Sequence, residues 1–206
     1  MMIVNNKFLF FLVLLVLAGN AKALGLCANG NENTAMVATT PAVDFIDNGD
    51  GTVTHHKTGL IWQRCSLGQI WDGSQCIGDG FAYSWFHALV VAKQNDFAGF
   101  NDWRLPNKNE LASIVEYRCS NPAINSQQFP NTPSGSYWSS SPNALNNHKV
   151  WIASFSHAGI YGGAEYYGRL YVRLVRDPLG EPSGEPSIEI INGSPENRKE
   201  DSTTGQ

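Results

Sequence analysis

Asp102-Trp103-Arg104-Leu105-Pro106-Asn107-Lys108-Asn109-Glu110-Leu111 decides how the rest of this chain is read. Trp103 to Leu105 suits an aromatic strand, and Pro106 stands just before Asn107, a good helix N-cap. Glu110 follows three residues later, the spacing at which a carboxylate reaches back to the N-cap amide. The stretch therefore predicts a strand feeding directly into a capped helix. Arg104 lies in the strand part, where its planar fork suits tying carbonyls together better than clamping a ligand.

Downstream, the second helix is predicted over 107–117, with Leu111, Ile114 and Val115 on its buried face. Upstream, a first helix is predicted over 83–95, because Trp85, Phe86, Leu89 and Val90 recur near helical spacing, with Phe97 beyond them. A glycine-containing turn at 96–101 joins it to the quoted stretch. Residues 45–54 read as strand, turn, strand, since Asn48-Gly49 and Asp50-Gly51 both tolerate positive φ. Asp47 and Asp50 serve that turn, because neither the ligand alternation nor the distant Glu of a calcium loop follows. Residues 60–65 form the next strand, 66–80 a glycine-rich loop, and 121–136 a proline-rich irregular stretch. Strands follow at 136–141, 150–155 and 169–176. In the last, Leu170, Val172, Leu174 and Arg176 alternate with Arg169, Tyr171, Arg173 and Val175, which predicts one buried face.

The ends of the 206-residue chain differ from this middle. Lys7 precedes an apolar run over 8–18, shorter than the roughly 20 residues of a membrane span. Ala21-Lys22-Ala23 follows, so 1–23 reads as a signal peptide cleaved after Ala23, leaving no membrane span. Export makes disulfides the expected state of Cys27, Cys65, Cys76 and Cys119, and four cysteines allow three connectivities. Cys65 and Cys76 flank the glycine-rich loop and are expected to pair. Cys27 then meets Cys119, tying an N-terminal arm (24–41) to the end of the second helix. No Cys-x-x-Cys or His-x-x-x-His spacing occurs, so no metal and no cofactor are expected. From 178 to 206 the chain is rich in Pro, Gly, Ser and charge and reads as a disordered tail. One globular unit remains, at 42–177. A net charge of −4 disfavours nucleic acid as a partner.

Four blocks occur in order: Asp47 to Thr54 with Thr58-Gly59-Leu60-Ile61-Trp62; Trp103-Arg104-Leu105-Pro106 with Glu110-Leu111; Tyr137-Trp138-Ser139-Ser140; and Tyr171-Val172-Arg173 with Val175-Arg176. Together they resemble the Lcl C-terminal domain family, whose namesake is the C-terminal domain of a bacterial collagen-like adhesin. The resemblance implies an α+β, C-type-lectin-like fold: an antiparallel sheet, two helices and long irregular loops. It also implies a bacterial protein in the periplasm, on the cell surface or secreted, with an adhesive, carbohydrate-binding role and a homo-oligomer as one arrangement. The namesake trimerises behind a collagen-like stalk and binds sulfated glycosaminoglycans. This chain has no Gly-x-y repeat to enforce a trimer and is acidic, which disfavours a polyanionic ligand. The Trp-Arg-Leu-Pro block is also similar to formylglycine-generating and sulfatase-modifying proteins, which implies a rival reading as an exported oxidase using cysteines and copper. A minor component of a surface fibre is a third.

Catalytic types are present without catalytic framing. Ser139, Ser140 and Ser141 lack a Gly-x-Ser-x-Gly elbow, and His55 and His56, adjacent in a strand, point to opposite faces. His148 and His157 flank a strand. Trp62, Trp103, Trp138 and Trp151 read as core. The segment 157–169 is different: Tyr161, Tyr166 and Tyr167, with Arg169, stand on a glycine-rich connection that local structure does not explain. Tyrosines on a loop offer large area, a polar tip and little entropy to lose. These four are the expected contacts to an extracellular glycan or protein ligand, with no catalytic residue expected.

Overall fold

The computed structural model describes residues 25–146 and 148–178. The leader read at 1–23 and, Pro178 apart, the tail read at 178–206 lie outside the described residues. The strands are β1 (Phe45–Asp47), β2 (Thr52–His55), β3 (Ile61–Gln63), β4 (Ile70–Trp71), β5 (Cys76–Ile77), β6 (Ser136–Pro142), β7 (Lys149–Ser154), β8 (Gly159–Glu165) and β9 (Val175–Arg176). Helices α1 (Trp85–Lys93) and α2 (Lys108–Ala112) fall between β5 and β6. The fold is α+β, with antiparallel sheets ordered β1-β2-β3-β9, β4-β5 and β6-β7-β8.

The β1–β2 turn is held by its own carboxylates. Asp47 accepts from the Gly49 N–H, and Asp50 accepts from the N–H and hydroxyl of Thr52. Such short side-chain bonds favour a tight turn. Gly51 has φ +86°, and a Cβ there would lie 2.8 Å from the rings of Phe97 and Trp71, so a side chain is excluded twice. β3 then sets Trp62 beside Val53, and β9 closes the far side of β3 by pairing Val175 with Trp62.

The Trp-Arg-Leu-Pro stretch lies along the other edge of β9. Arg104 and Val175 exchange backbone hydrogen bonds of 2.9 and 3.1 Å. Trp103 and Leu105, two residues apart and so on one face, are both buried with Trp138, Val172 and Leu174. Asn107 caps α2, its Oδ1 accepting from the Asn109 and Glu110 N–H groups at 2.9 Å each. Glu110 Oε2 accepts from the Asn107 N–H at 2.7 Å, which completes the predicted capping box. The Arg104 fork grips both Glu110 oxygens at 2.8 and 2.9 Å and Asp177 at 2.6 Å. It ties carboxylates where carbonyls were expected. The hydrogen bond to Glu110, ahead of that to Asp177, pushes its pKa above the ordinary arginine value. One carboxylate thus starts the helix and anchors the strand before it.

The β6-β7-β8 sheet separates two apolar clusters. Tyr137 enters one, with Phe45, Trp62, Leu111 and Phe129; its neighbour Trp138 enters the other. Successive side chains of a strand point to opposite faces, so this one segment serves both.

Three expectations are corrected here. On α1 the buried residues are Ala88 and Ala92, while Phe86 and Val90 are 60% and 52% exposed. The helix is oriented at its start, where Tyr83 and Leu170 exchange backbone bonds and the Trp85 N–H donates to the Tyr166 carbonyl. That anchoring turns the alanines inward. Residues 66–80 contain a small hairpin, β4–β5, rather than only a loop. Finally, 169–176 is not a strand with one wet face: Val172 to Arg176 are all buried, and only Val175–Arg176 pairs as β9. Arg173 is wholly enclosed. Its guanidinium donates to the carbonyls of Gln63 (3.0 Å) and Arg64 and to the hydroxyls of Ser66 (3.2 Å) and Thr132 (2.7 Å). It lies 4.7 Å over the Phe129 ring. Burial pushes its pKa down to about 10. The alternation misled because this segment is clamped between β3 and the Arg104 strand, with a cluster on each face.

Candidate binding cleft

The tyrosine-rich segment 157–169 is strand only over β8, with Tyr166, Tyr167 and Arg169 on the turn that follows it. β8 pairs Tyr161 with Ile152 and Ala164 with Val150, with one extra residue between. This bulge brings Gly162 under the Trp151 indole, where a Cβ would lie 3.1 Å from the ring. The Asn143 amide donates to the Gly162 carbonyl. The glycines therefore permit close approach rather than supplying flexibility. Tyr166 stacks on Trp85 with ring centroids 4.9 Å apart and meets Phe86 at 5.3 Å. Arg169 donates to the Ala82 carbonyl at 2.9 Å. Those two residues hold structure together. Tyr161 (49% exposed) and Tyr167 (78% exposed) stay open to solvent, toward opposite ends of β8.

The remaining side-chain candidates are also placed. Trp62, Trp103 and Trp138 are buried, but Trp151 is only half-buried, with the Lys108 ammonium 4.2 Å above its ring. Ser139 is buried and donates to the Trp151 carbonyl at 2.6 Å, and Ser141 accepts from the Lys108 N–H. His55 is buried against Phe45, which pushes its pKa down, while His56 is exposed. Among the described residues no group of three or more His, Cys, Asp or Glu converges as a metal site.

A cavity of about 800 Å³ lies elsewhere, between the N-terminal arm and the β4–β5 hairpin. Its floor is the segment 126–131. The Arg64 fork, nearly buried, draws that floor down from beneath: it donates to the carbonyls of Gln127 (2.7 Å) and Gln128 (3.0 Å). The same guanidinium pairs with Asp47 at 2.6 Å and lies 4.6 Å over the Trp71 ring, so it also braces the hairpin. With carbonyls turned to Arg64, the floor presents Ser126, Gln127, Pro130 and Asn131 to the cavity.

Each wall carries a disulfide. Cys65–Cys76 closes the hairpin, whose tip presents Ser74 and Gln75. Asp72 Oδ1 accepts from the Ser74 and Gln75 N–H groups and the Ser74 hydroxyl, shaping that tip. The Gln75 and Ser74 amides, in that order, hold the Asp72 pKa below its ordinary value. Asn131 Nδ2 donates to the Cys76 carbonyl at 2.8 Å, stitching wall to floor. Cys27–Cys119 holds the arm, and the Ser126 N–H donates to the Leu26 carbonyl at 2.8 Å. Further along, the buried Glu116 carboxylate accepts from the N–H and hydroxyl of both Thr39 and Thr40 and from the Arg118 N–H, all between 2.7 and 3.0 Å. Burial alone raises its pKa, but these donors together hold it below the usual carboxylate range.

The sequence offered no local signal for this cleft, since its lining comes from 25–30, 74–75 and 126–131. The cysteines were the available clue, because Cys27 lines the cavity and Cys76 directly follows Gln75. Among the described residues no helix is long and apolar enough to cross a membrane. In comparisons with known proteins, the sequence model described as the Lcl C-terminal domain matches residues 51–176. No curated protein matches the chain.

Proposed function

This chain belongs to the Lcl C-terminal domain family, and on that premise we propose that it is an exported, non-catalytic binding module acting at a bacterial surface, in the periplasm or in the medium. The observation that carries the reading is the stapled cleft: two disulfides and the Arg64 fork fix its walls and floor before any ligand arrives. A preformed site needs little ordering on binding, which favours capture. Among the described residues, its lining contains neither a histidine nor a carboxylate to act as a general base. All four cysteines are consumed by the disulfides, so the thiol–copper chemistry of the rival oxidase reading lacks its ligands. The exposed Tyr161 and Tyr167 are proposed as a secondary contact surface for the same capture role.

The test is recovery of the ligand. Purified protein is incubated with a binding partner found on glycan and peptide arrays, and the released partner is weighed by mass spectrometry. An unchanged mass is expected. A cleaved or oxidised partner, produced in proportion to time, would replace this reading with an enzymatic one.

A further inference from the structure

The tip of the β4–β5 hairpin faces the cleft, but its strands carry a second surface. Ile70 pairs with Ile77, and Trp71 with Cys76. Cys76 is buried, and Trp71 lies 4.6 Å from the Arg64 guanidinium and against Gly51. Successive side chains of a strand point to opposite faces, so Ile70 (66% exposed) and Ile77 (43% exposed) stand side by side in solvent. Phe81, 58% exposed, covers Gly68, where a Cβ would come 2.7 Å from its ring. The Cys65–Cys76 link and Arg64 hold the hairpin, so this apolar surface needs little ordering on contact. Large apolar side chains grouped in solvent on a braced element mark an interaction site.

Charge decides what covers it. Beside Ile77 lies a pocket of about 510 Å³, walled in part by Asp79, Pro133 and Tyr171. Its amide side chains are engaged: Gln69 Nε2 donates to the Asn131 carbonyl at 2.9 Å, and Asn131 Nδ2 donates to the Cys76 carbonyl at 2.8 Å. The Asp79 carboxylate has neither an ion pair nor a hydrogen bond among the described residues. Segments 66–82 and 120–136, which meet here, contain Asp72 and Asp79 and no Lys or Arg. Asp72 is spent on its own turn, and Arg169, held on the Ala82 carbonyl, does not line the pocket. We infer that this face docks a protein segment in which an apolar side chain is flanked by lysine or arginine. The apolar side chain packs on the isoleucine pair, and the cation meets Asp79, which fixes the partner's sign. A second copy of this chain would set the acidic face against itself and leave both Asp79 carboxylates without a cation. The chain's own segment 178–206 has six acidic residues against two basic ones, the wrong sign for the same reason.

The experiment offers the purified protein three peptide sets with the same Leu and Phe residues, flanked by Lys and Arg, by Glu, or by Ser, and separately offers phosphatidylglycerol vesicles. Capture of the Lys/Arg set is expected to be strongest and to fall as salt rises. Ile70→Ser with Ile77→Ser is expected to weaken it about tenfold at unchanged melting temperature, since both side chains already stand in solvent. Asp79→Asn is expected to weaken it about threefold, and Asp79→Lys to move the preference to the Glu set. Equal capture of the three sets, or a preference of the wild type for the Glu or Ser set, overturns the basic partner. Lys/Arg capture that survives the paired serine variant overturns the site. Vesicle binding, or a dimer in sedimentation, that the paired serine variant abolishes gives this face to a lipid surface or a second copy and overturns the partner. No capture of any set overturns the inference too, and none of these outcomes bears on capture by the cleft.

Discussion

The β8 segment and the cleft contrast in what holds them. Along β8 and the turn after it, two of the residues that drew attention in the sequence are spent on packing: Gly162 seats Trp151, and Tyr166 fills the space beside Trp85. In the cleft the Gln127 and Gln128 carbonyls of the floor accept from Arg64, while the Ser126 hydroxyl and the Asn131 amide tie the floor to the Leu26 and Cys76 carbonyls of the two walls. An unusual composition marks a place where the chain is constrained. A binding surface requires in addition that something else bear the constraint, and here two disulfides and one arginine do so.

The largest expected effect lies on the cleft side. Cys27 and Cys119 are 92 residues apart, so replacing both with Ser should cost about 4.5 kcal/mol in urea unfolding and abolish ligand capture. Unchanged stability would mean that the arm is held by other contacts. Next is Glu116→Gln, expected to cost about 3 kcal/mol, since it takes charge from a buried carboxylate with several donors. Its pH signature is specific. A folded-state pKa below the unfolded value gives stability that is present above the unfolded carboxylate pKa and lost as pH falls through the folded one. The wild type should therefore weaken in acid more steeply than the variant, and parallel acid titrations would remove Glu116 from the account.

On the β8 side, Tyr166→Ala should cost about 2 kcal/mol, because the ring is stacked on Trp85 and packed on the second cluster. Smallest is the pair Tyr161→Ala and Tyr167→Ala, expected to stay within about 0.5 kcal/mol in thermal melts. A Tyr161/Tyr167 loss as large as that of Tyr166 would erase the distinction between packed and open tyrosines.

These contrasts explain what could be read in advance. The Asn107–Glu110 capping box and the Asp47–Thr52 turn were legible because their hydrogen bonds span two or three residues. The burial of Arg173 was not, because its acceptors lie 41 to 110 residues away. The exposed face of α1 was missed for a related reason: helical spacing gives a period, whereas bonds from Tyr83 to Leu170 and Trp85 to Tyr166 set its rotation. The cleft was invisible because no single stretch of its lining is distinctive, and only the sulfur links hint that its walls meet.

The most direct measurement is disulfide mapping by mass spectrometry on unreduced protein taken from its native compartment. The account predicts linked peptides joining Cys27 to Cys119 and Cys65 to Cys76, with no titratable thiol. A free thiol pair, or the cysteines joined in another pattern, would contradict it.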